Sequence, residues 1–375
     1  MDLLELRKDL DRIDKELVRL LEERLKVCGQ VASYKIETGK PVFDKERERQ
    51  KIASVKELAH SPFNERAAEE MFSQMMTISR RLQYQILEEH GRKADMGFIM
   101  VDSLKKKGVR VVYQGVEGAY SHEAALKYFG GDVNAYHVKT WEDAMVEVEK
   151  GSADYAVIPI ENSSAGAVID NYDLLINHEN VIVAEIFLPV SHALLGLPGA
   201  ALEDVQVVYS HPQALMQCSK YLNAHPGWKQ ISVENTAVSA KKIIEEQDCH
   251  QAAVASESAG KLYGLSVLAS AINHNKNNTT RFIILAKEKI YSRDAGRISI
   301  CFELPHKIGT LYNMLGNFIY CGVNMVMIES RPIAERNWEY RFFVDIEGNL
   351  GDTAVQNALH SISEEALNVR ILGNY

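Results

Sequence analysis

Residues 2–38 carry apolar side chains at three- and four-residue steps without a break, and no other stretch limits the possible folds as much. Leu3, Leu6, Leu10, Ile13, Leu17, Leu20, Leu21, Val27, Val31 and Ala32 keep the period of an α-helix. No proline intervenes before Pro41, and Gly39 supplies a stop signal just ahead of it. At about 1.5 Å of rise per residue such a helix spans roughly 55 Å. A small domain cannot bury that length by itself, so a partner helix is expected. A second helix is predicted over 44–59 and a third over 64–89, with Ser61 and Pro62 between them. One overlong helix with two shorter ones predicts an intertwined all-α dimer as the first domain, residues 1–91.

The full length of 375 residues suggests two or three domains. Residues 92–108, ending in Lys105, Lys106, Lys107 and Gly108, are expected as a linker whose apolar patch at 96–101 docks elsewhere. After it the rhythm changes. Short apolar runs at 109–113, 155–160, 181–188, 205–209, 251–255 and 282–286 alternate with helical segments, the pattern of an α/β domain. Residues 109–288 are enough for two α/β lobes. Residues 296–375 read as strand 297–304, helix 309–321, strand 323–332, strand 340–347, helix 352–366 and strand 368–373. That βαββαβ order predicts an α+β, ferredoxin-like domain.

A net charge of −9 argues against a generic nucleic-acid binder but leaves room for a local basic pocket. The five cysteines are scattered and odd in number, which suits reduced thiols in the cytosol. Met1-Asp2-Leu3-Leu4-Glu5 has no basic stretch leading into an apolar core, and no apolar run approaches the ~20 residues of a membrane span. A soluble cytoplasmic protein is expected.

Arg24 and Lys35 stand eleven residues apart and therefore project from one face of the first helix, within about 20°. Arg7 lies about 100° off that face. Asp44, Arg47 and Glu48 share a face at i, i+3 and i+4, and so do Ser79 and Gln83. Singly, each is ordinary surface decoration. In order and content the set resembles the all-helical chorismate mutases, with every slot of that pattern filled. The resemblance implies that Arg24 and Arg47 clamp the substrate carboxylates, with Arg7 reaching over from a partner subunit. Lys35 and Gln83 would donate to the ether oxygen. Glu48 and the backbone near Asp44 would receive the ring hydroxyl, and Ser79 would join the binding site. Chorismate is a dianion whose [3,3] rearrangement needs no nucleophile, so an enzyme helps by holding the chair-like conformer and stabilising developing charge. Arginine forks suit the first task.

In the middle region, small polar residues follow apolar runs at 114–122, 158–164 and 210–218, where strand ends and helix N-termini bind anions. Read alone, such residues are mostly helix caps, and His122 and His211 are mostly capping or packing residues. The sharper signal is Asn277-Asn278-Thr279-Thr280-Arg281-Phe282 entering a late apolar run. With the other three segments in order it resembles the prephenate dehydratases, which implies a fold like periplasmic binding proteins with the active site between lobes. Prephenate must lose carbon dioxide and a ring hydroxyl together, so a donor must face the departing hydroxide. The resemblance implies Thr280 as that donor. Asn162, Ser210 and Gln217 would be supporting hydrogen bonders and Arg281 a partner for a substrate carboxylate. Glu161 stays open as the acid, provided burial raises its pKa.

Gly309-Thr310-Leu311-Tyr312 and Glu329-Ser330-Arg331-Pro332 resemble the amino-acid-binding (ACT) regulatory domain that ends prephenate dehydratases. Thr310 and Tyr312 replace the usual alanine and valine. The resemblance implies phenylalanine bound near Gly309, Thr310, Leu311, Asn324, Glu329 and Ser330, between paired copies. For the whole chain it implies a fused mutase–dehydratase of phenylalanine biosynthesis, a homodimer or higher homo-oligomer. No cofactor, metal, nucleic acid or membrane partner is expected. A solute receptor or sensor would need an export signal or a DNA-reading module, neither of which is visible, and would not need the helical constellation. The Thr-Arg-Phe and Glu-Asn-Ser segments argue against a degenerate second site.

Overall fold

The computed structural model describes residues 2–91, 96–334 and 336–375. They form two compact units, residues 1–96 with 301–370, and residues 97–300 with 371–375. Residues 92–95 of the expected linker lie outside the described residues.

In the first unit α1 spans Leu3–Thr38, α2 Lys45–Lys56 and α3 Pro62–Glu89. Asp2 caps α1 by accepting from Leu4 N at 3.1 Å, and Gly39 ends it at φ 72°, a left-handed position that favours glycine. Asp44 stands just outside α2 as its N-cap and accepts from Arg47 N at 3.0 Å, so its carboxylate serves the helix start. Both α1 and α2 pack on α3 around Ala32, Val42, Val55 and Met76. The long apolar face of α1 is otherwise uncovered within one chain: Leu3, Leu10 and Leu17 are 61%, 58% and 50% exposed. The rest of this unit holds the helices Thr310–Cys321 and Thr353–Glu365 and the antiparallel strands Met325–Pro332 and Tyr340–Glu347. The chain divides between units inside the strands Arg297–Glu303 and Leu367–Asn374, which complete the βαββαβ order.

The second unit holds two lobes, each built on a sheet. In the first lobe the order is Asn134–Val138, Arg110–Gln114, Tyr155–Asn162, Thr279–Ala286 and Val181–Pro189. Thr279–Ala286 runs antiparallel to both its neighbours. In the second lobe the order is Ser266–Ala269, Ala193–Gly196, Gln251–Ala255, Val207–Ser210 and Lys229–Ser232. The chain enters the second lobe after Pro189 and returns at Thr279. Tyr113 and Phe282 anchor the first lobe's core, while Leu195 and Leu194 face opposite sides of the second lobe's sheet. The apolar patch expected to dock does so here, as Ile99–Val101 pairs in parallel with Ile290–Ser292. Among the described residues no helix is long and apolar enough to cross a membrane.

The last strand of the first lobe starts earlier than the apolar run at 282–286 suggests. Thr279 and Thr280 pair with Pro189 and Leu188, and Thr280 also pairs with Asn162. Polar β-branched residues are good strand formers where a neighbouring strand is there to receive them. Strand alternation then acts on this triplet.

Candidate active sites

In the first unit, α1 and α3 bring Arg24, Ser79 and Gln83 together. The Arg24 guanidinium donates to Ser79 Oγ and to Met75 O at 3.3 Å. Gln83 is buried and donates through Nε2 to Ser79 O at 3.2 Å, which leaves its second amide N–H uncommitted. Lys35, further along α1, donates to Val42 O at 2.6 Å. Burial pushes the Lys35 ammonium below its ordinary value of 10.5 against the pull of Asp44 and Glu48. Arg47 is exposed at the start of α2. Arg7 is exposed too, and the seventeen residues to Arg24 place it roughly 26 Å away along α1. Within one chain Arg7 therefore serves no site built on Arg24.

Glu48 has a partner that sequence reasoning missed. Arg80 of α3, 5% exposed, pairs with Glu48 at 2.5 Å, with Glu365 at 2.9 Å and with Glu364 at 3.2 Å. The Glu364 contact is an ion pair lying off the line of a hydrogen bond. Tyr84 donates to Glu364 from one turn further on, and its ring stacks on His360 at 4.8 Å. Burial pushes the Glu364 carboxyl up to about 7 and raises Glu365 as well. Nothing in the sequence separates Arg80 from Arg81 beside it.

In the second unit a cavity of about 430 Å³ opens between the lobes. Thr280 and Phe282 line it from the last strand, Asn162 from the strand beside it, and Gln217 and His211 from the second lobe. Asn162 Nδ2 donates to Thr280 Oγ1 at 2.9 Å, and its Oδ1 is held by the backbone N–H groups of Ser164 and Ala165, both at 3.0 Å. The amide is thereby fixed. Gln217 Oε1 accepts from Asn278 Nδ2 at 3.3 Å and meets His192 Nε2 at 3.1 Å. A carbonyl oxygen only accepts, so the His192 proton is on Nε2, and Nδ1 is an acceptor 3.2 Å from the Tyr120 hydroxyl, which also donates to Ser191 O at 3.0 Å. Burial lowers the His192 pKa and keeps the ring neutral. His192 is a second residue missed from the sequence; its signal is a lone histidine where the chain crosses between lobes.

Three expectations need correction. Ser210 is fully buried and donates to Val254 O at 2.6 Å, so it joins the strand Val207–Ser210 to its neighbour instead of facing the cavity. Glu161 is on the opposite strand face from Asn162 and its side chain is 45% exposed, so the burial that an acid role required is missing. Arg281 alternates away from Thr280 and is buried against Glu185 at 2.7 Å, on the side away from the cavity. His122 and His211 accept from backbone N–H groups, of Gly118 at 3.1 Å and Gln213 at 3.2 Å, as capping residues do.

Residues 111–290 match the Prephenate dehydratase family, and residues 6–84 match Chorismate mutase type II. A bifunctional chorismate mutase/prephenate dehydratase of Aquifex aeolicus is 33% identical over all of this chain and 98% of its own length. The chain belongs to the bifunctional chorismate mutase/prephenate dehydratases. It is thus an enzyme with both activities, turning chorismate into prephenate and prephenate into phenylpyruvate. Among solved structures, the prephenate dehydratase of Arthrobacter aurescens in complex with L-Phe is 29% identical, with a TM-score of 0.66 over 71% of this chain and 89% of that one. A protein described as GqqA, a quorum quenching acylase, is 30% identical over 71% of this chain and 97% of its own, with a TM-score of 0.65.

The expected regulatory residues of this mutase–dehydratase lie in the first unit. Gly309 begins the helix Thr310–Cys321 at φ 81°, and the Thr310 hydroxyl bonds within its own turn to Lys307 O at 3.0 Å. Thr310 and Leu311 line a cavity of about 70 Å³ with Trp338 and Tyr340. Glu329 and Ser330 sit on the strand Met325–Pro332 and do not line that cavity, while Asn324 donates to Glu347 at 3.0 Å. Tyr312 is exposed.

Proposed function

We propose that residues 1–91 carry the mutase site, 109–288 the dehydratase site, and 296–375 an ACT-type regulatory domain of ferredoxin-like topology. The observation that carries the dehydratase assignment is the fixed Asn162 amide bonded to Thr280 Oγ1 at the inter-lobe cavity. A hydroxyl has one proton and two acceptor positions. With Asn162 filling an acceptor position, the Thr280 proton is free to point at the departing hydroxide of prephenate. Thr280 then acts as a hydrogen-bond donor to developing charge, in a cavity that keeps water from the reacting ring. Gln217 is aligned by His192 and Asn278 to orient the substrate.

At the mutase site Arg24 and Arg47 hold the two carboxylates of chorismate, and Lys35 and Gln83 donate to the ether oxygen as its bond breaks. Glu48 and the backbone at Asp44 receive the ring hydroxyl, and Ser79 orients Arg24. A lysine whose charge is already partly desolvated gives up little hydration when substrate arrives. Arg7 completes the site from a second copy, and the uncovered apolar face of α1 supports that pairing, since a helix of this length gains stability chiefly by covering such a face. The working protein is therefore a homodimer or a larger homo-oligomer, cytoplasmic and without cofactor or metal.

Phenylalanine binds at Gly309, Thr310, Leu311, Asn324, Glu329 and Ser330 across paired C-terminal domains and restrains the dehydratase. This reading is supported by the L-Phe complex of the Arthrobacter aurescens relative and by the small size of the cavity that one chain offers. Purified protein given chorismate and followed by ultraviolet absorbance tests the assignment. Phenylpyruvate should form by way of prephenate. Accumulating prephenate would mean a dead second site, and unchanged chorismate a dead first one.

A further inference from the structure

The reverse side of the catalytic strand in the second unit is built around residues that neither activity accounts for. Arg281 follows Thr280 but is 5% exposed and stays out of the cavity that Thr280 and Phe282 line. Its Nε donates to Glu185 at 2.7 Å and its Nη2 to the hydroxyl of Tyr375, also at 2.7 Å. That hydroxyl is 2.6 Å from Ser299 Oγ. Glu185 uses its other oxygen on Arg297, at 3.3 Å.

Tyr375 is itself held firmly. Its N–H donates to Arg297 O and its carbonyl accepts from Arg297 N, both at 2.8 Å, while Asn374 Nδ2 donates to Arg297 O at 2.9 Å. Gly373 pairs with Ile182 so closely that a Cβ there would fall 2.0 Å from the Ile182 carbonyl oxygen. Residues 371–375 are thus fitted against the strand Val181–Pro189, which is the partner of the Thr280 strand.

We propose that Tyr375 and Arg281 are positioning residues of the dehydratase, holding the Thr280 strand in register from the side away from substrate. The inference rests on the reading that Thr280 and Asn162 form the catalytic centre. Opposite Arg281 stand Phe187 on one neighbouring strand and Glu161 on the other, next to the pairs Thr280–Leu188 and Thr280–Asn162. A guanidinium that loses its Tyr375 partner keeps a buried N–H to satisfy. Re-pairing it moves the guanidinium, and because Arg281 is the next residue in the strand, the movement reaches the donor geometry at Thr280. Displacements of about 1 Å at a reacting centre cost on the order of 100-fold in rate. The last five residues, 371–375, are in this way part of the dehydratase scaffold.

The test uses the full-length protein and four variants, Tyr375→Phe, Gly373→Ala, Arg281→Lys and the double variant of the first and third. Mutase activity of each preparation serves as the control for folding. Tyr375→Phe should lower dehydratase kcat about tenfold, with KM within about twofold and mutase turnover unchanged. Gly373→Ala, which displaces the segment carrying Tyr375 but changes no side chain of the Arg281 network, should show the same split. The double variant should be no slower than the worse single one, because both changes break one network. Native dehydratase kcat in Tyr375→Phe overturns the proposal. So does a fall in kcat matched by an equal fall in mutase turnover, or multiplying losses in the double variant. Full dehydratase activity in Thr280→Ala would instead overturn the underlying assignment of the centre, whatever Tyr375→Phe does.

Discussion

Glu364 offers a prediction in which the sign and the size both come from the structure. Its carboxyl is pushed from the ordinary 4.5 up to about 7 by burial, with Tyr84 and Arg80 pulling the other way and Glu48 and Glu365 adding repulsion. Between those two values the folded protein binds a proton that the unfolded chain has released. Stability is therefore fully present below pH 4.5 and is lost as pH rises through about 7. At about 1.4 kcal/mol for each tenfold change in proton affinity, the loss is about 3 kcal/mol. Glu364→Gln keeps an acceptor for the Tyr84 hydroxyl but has no proton to release. The variant should match the parent at pH 5 and exceed it by up to about 3 kcal/mol at pH 8. Urea unfolding followed by the helical circular dichroism signal, run at both pH values, measures the difference. Titrating groups away from the Arg80 cluster are common to both proteins and drop out of the comparison. If the parent and Glu364→Gln lose equal stability between pH 5 and pH 8, the buried-carboxylate reading of the Arg80 cluster is wrong.

Further outcomes are expected at the two sites and the α1 face. Lys35→Ala should lower mutase kcat by about 100-fold or more while the dehydratase runs nearly unchanged, and Thr280→Ala should do the reverse, as separate assays on one preparation would reveal. Ser210→Ala removes a fully buried donor to Val254 O, leaves it the longer bond from Ser239 Oγ at 3.5 Å, and should destabilise the second unit by about 1 kcal/mol. Its dehydratase KM should stay at the parent value, and a raised KM would restore Ser210 to the substrate site. Leu10→Glu combined with Leu17→Glu places charge on the uncovered face of α1. Sedimentation should then report a smaller species with little mutase activity, whereas an unchanged oligomer that remains active would remove Arg7 from the site.

Much of the architecture was legible because helix and strand periods are local. The heptad-like run of α1, the stop at Gly39 and the strand–helix alternation after residue 109 appear in the structure within a few residues of expectation. The strand Gln251–Ala255 agrees at both ends, and the C-terminal βαββαβ order follows its predicted sequence. The site was legible in composition more than in geometry. Ser79 and Gln83 share a face at helical spacing, whereas Arg24 joins them, and Asn162 joins Thr280, through the packing of α1 on α3 and the pairing of two strands.

Partners contributed from distant parts of the chain were a different matter. Arg80 and Arg81 are equivalent on a page, yet only the packing of α3 against α2 and the helix Thr353–Glu365 buries the former among three carboxylates. Arg281 looked like a substrate ligand until Thr279 and Thr280 joined the strand and alternation turned it toward Glu185 and Tyr375. The amino-acid order by itself determined the elements, their succession and the kinds of chemical group at hand, because backbone periodicity is set by neighbours a few residues away. Which carboxylate meets which guanidinium, and which amide meets the Thr280 hydroxyl, only the tertiary structure decided, because those pairings join residues dozens to hundreds of positions apart.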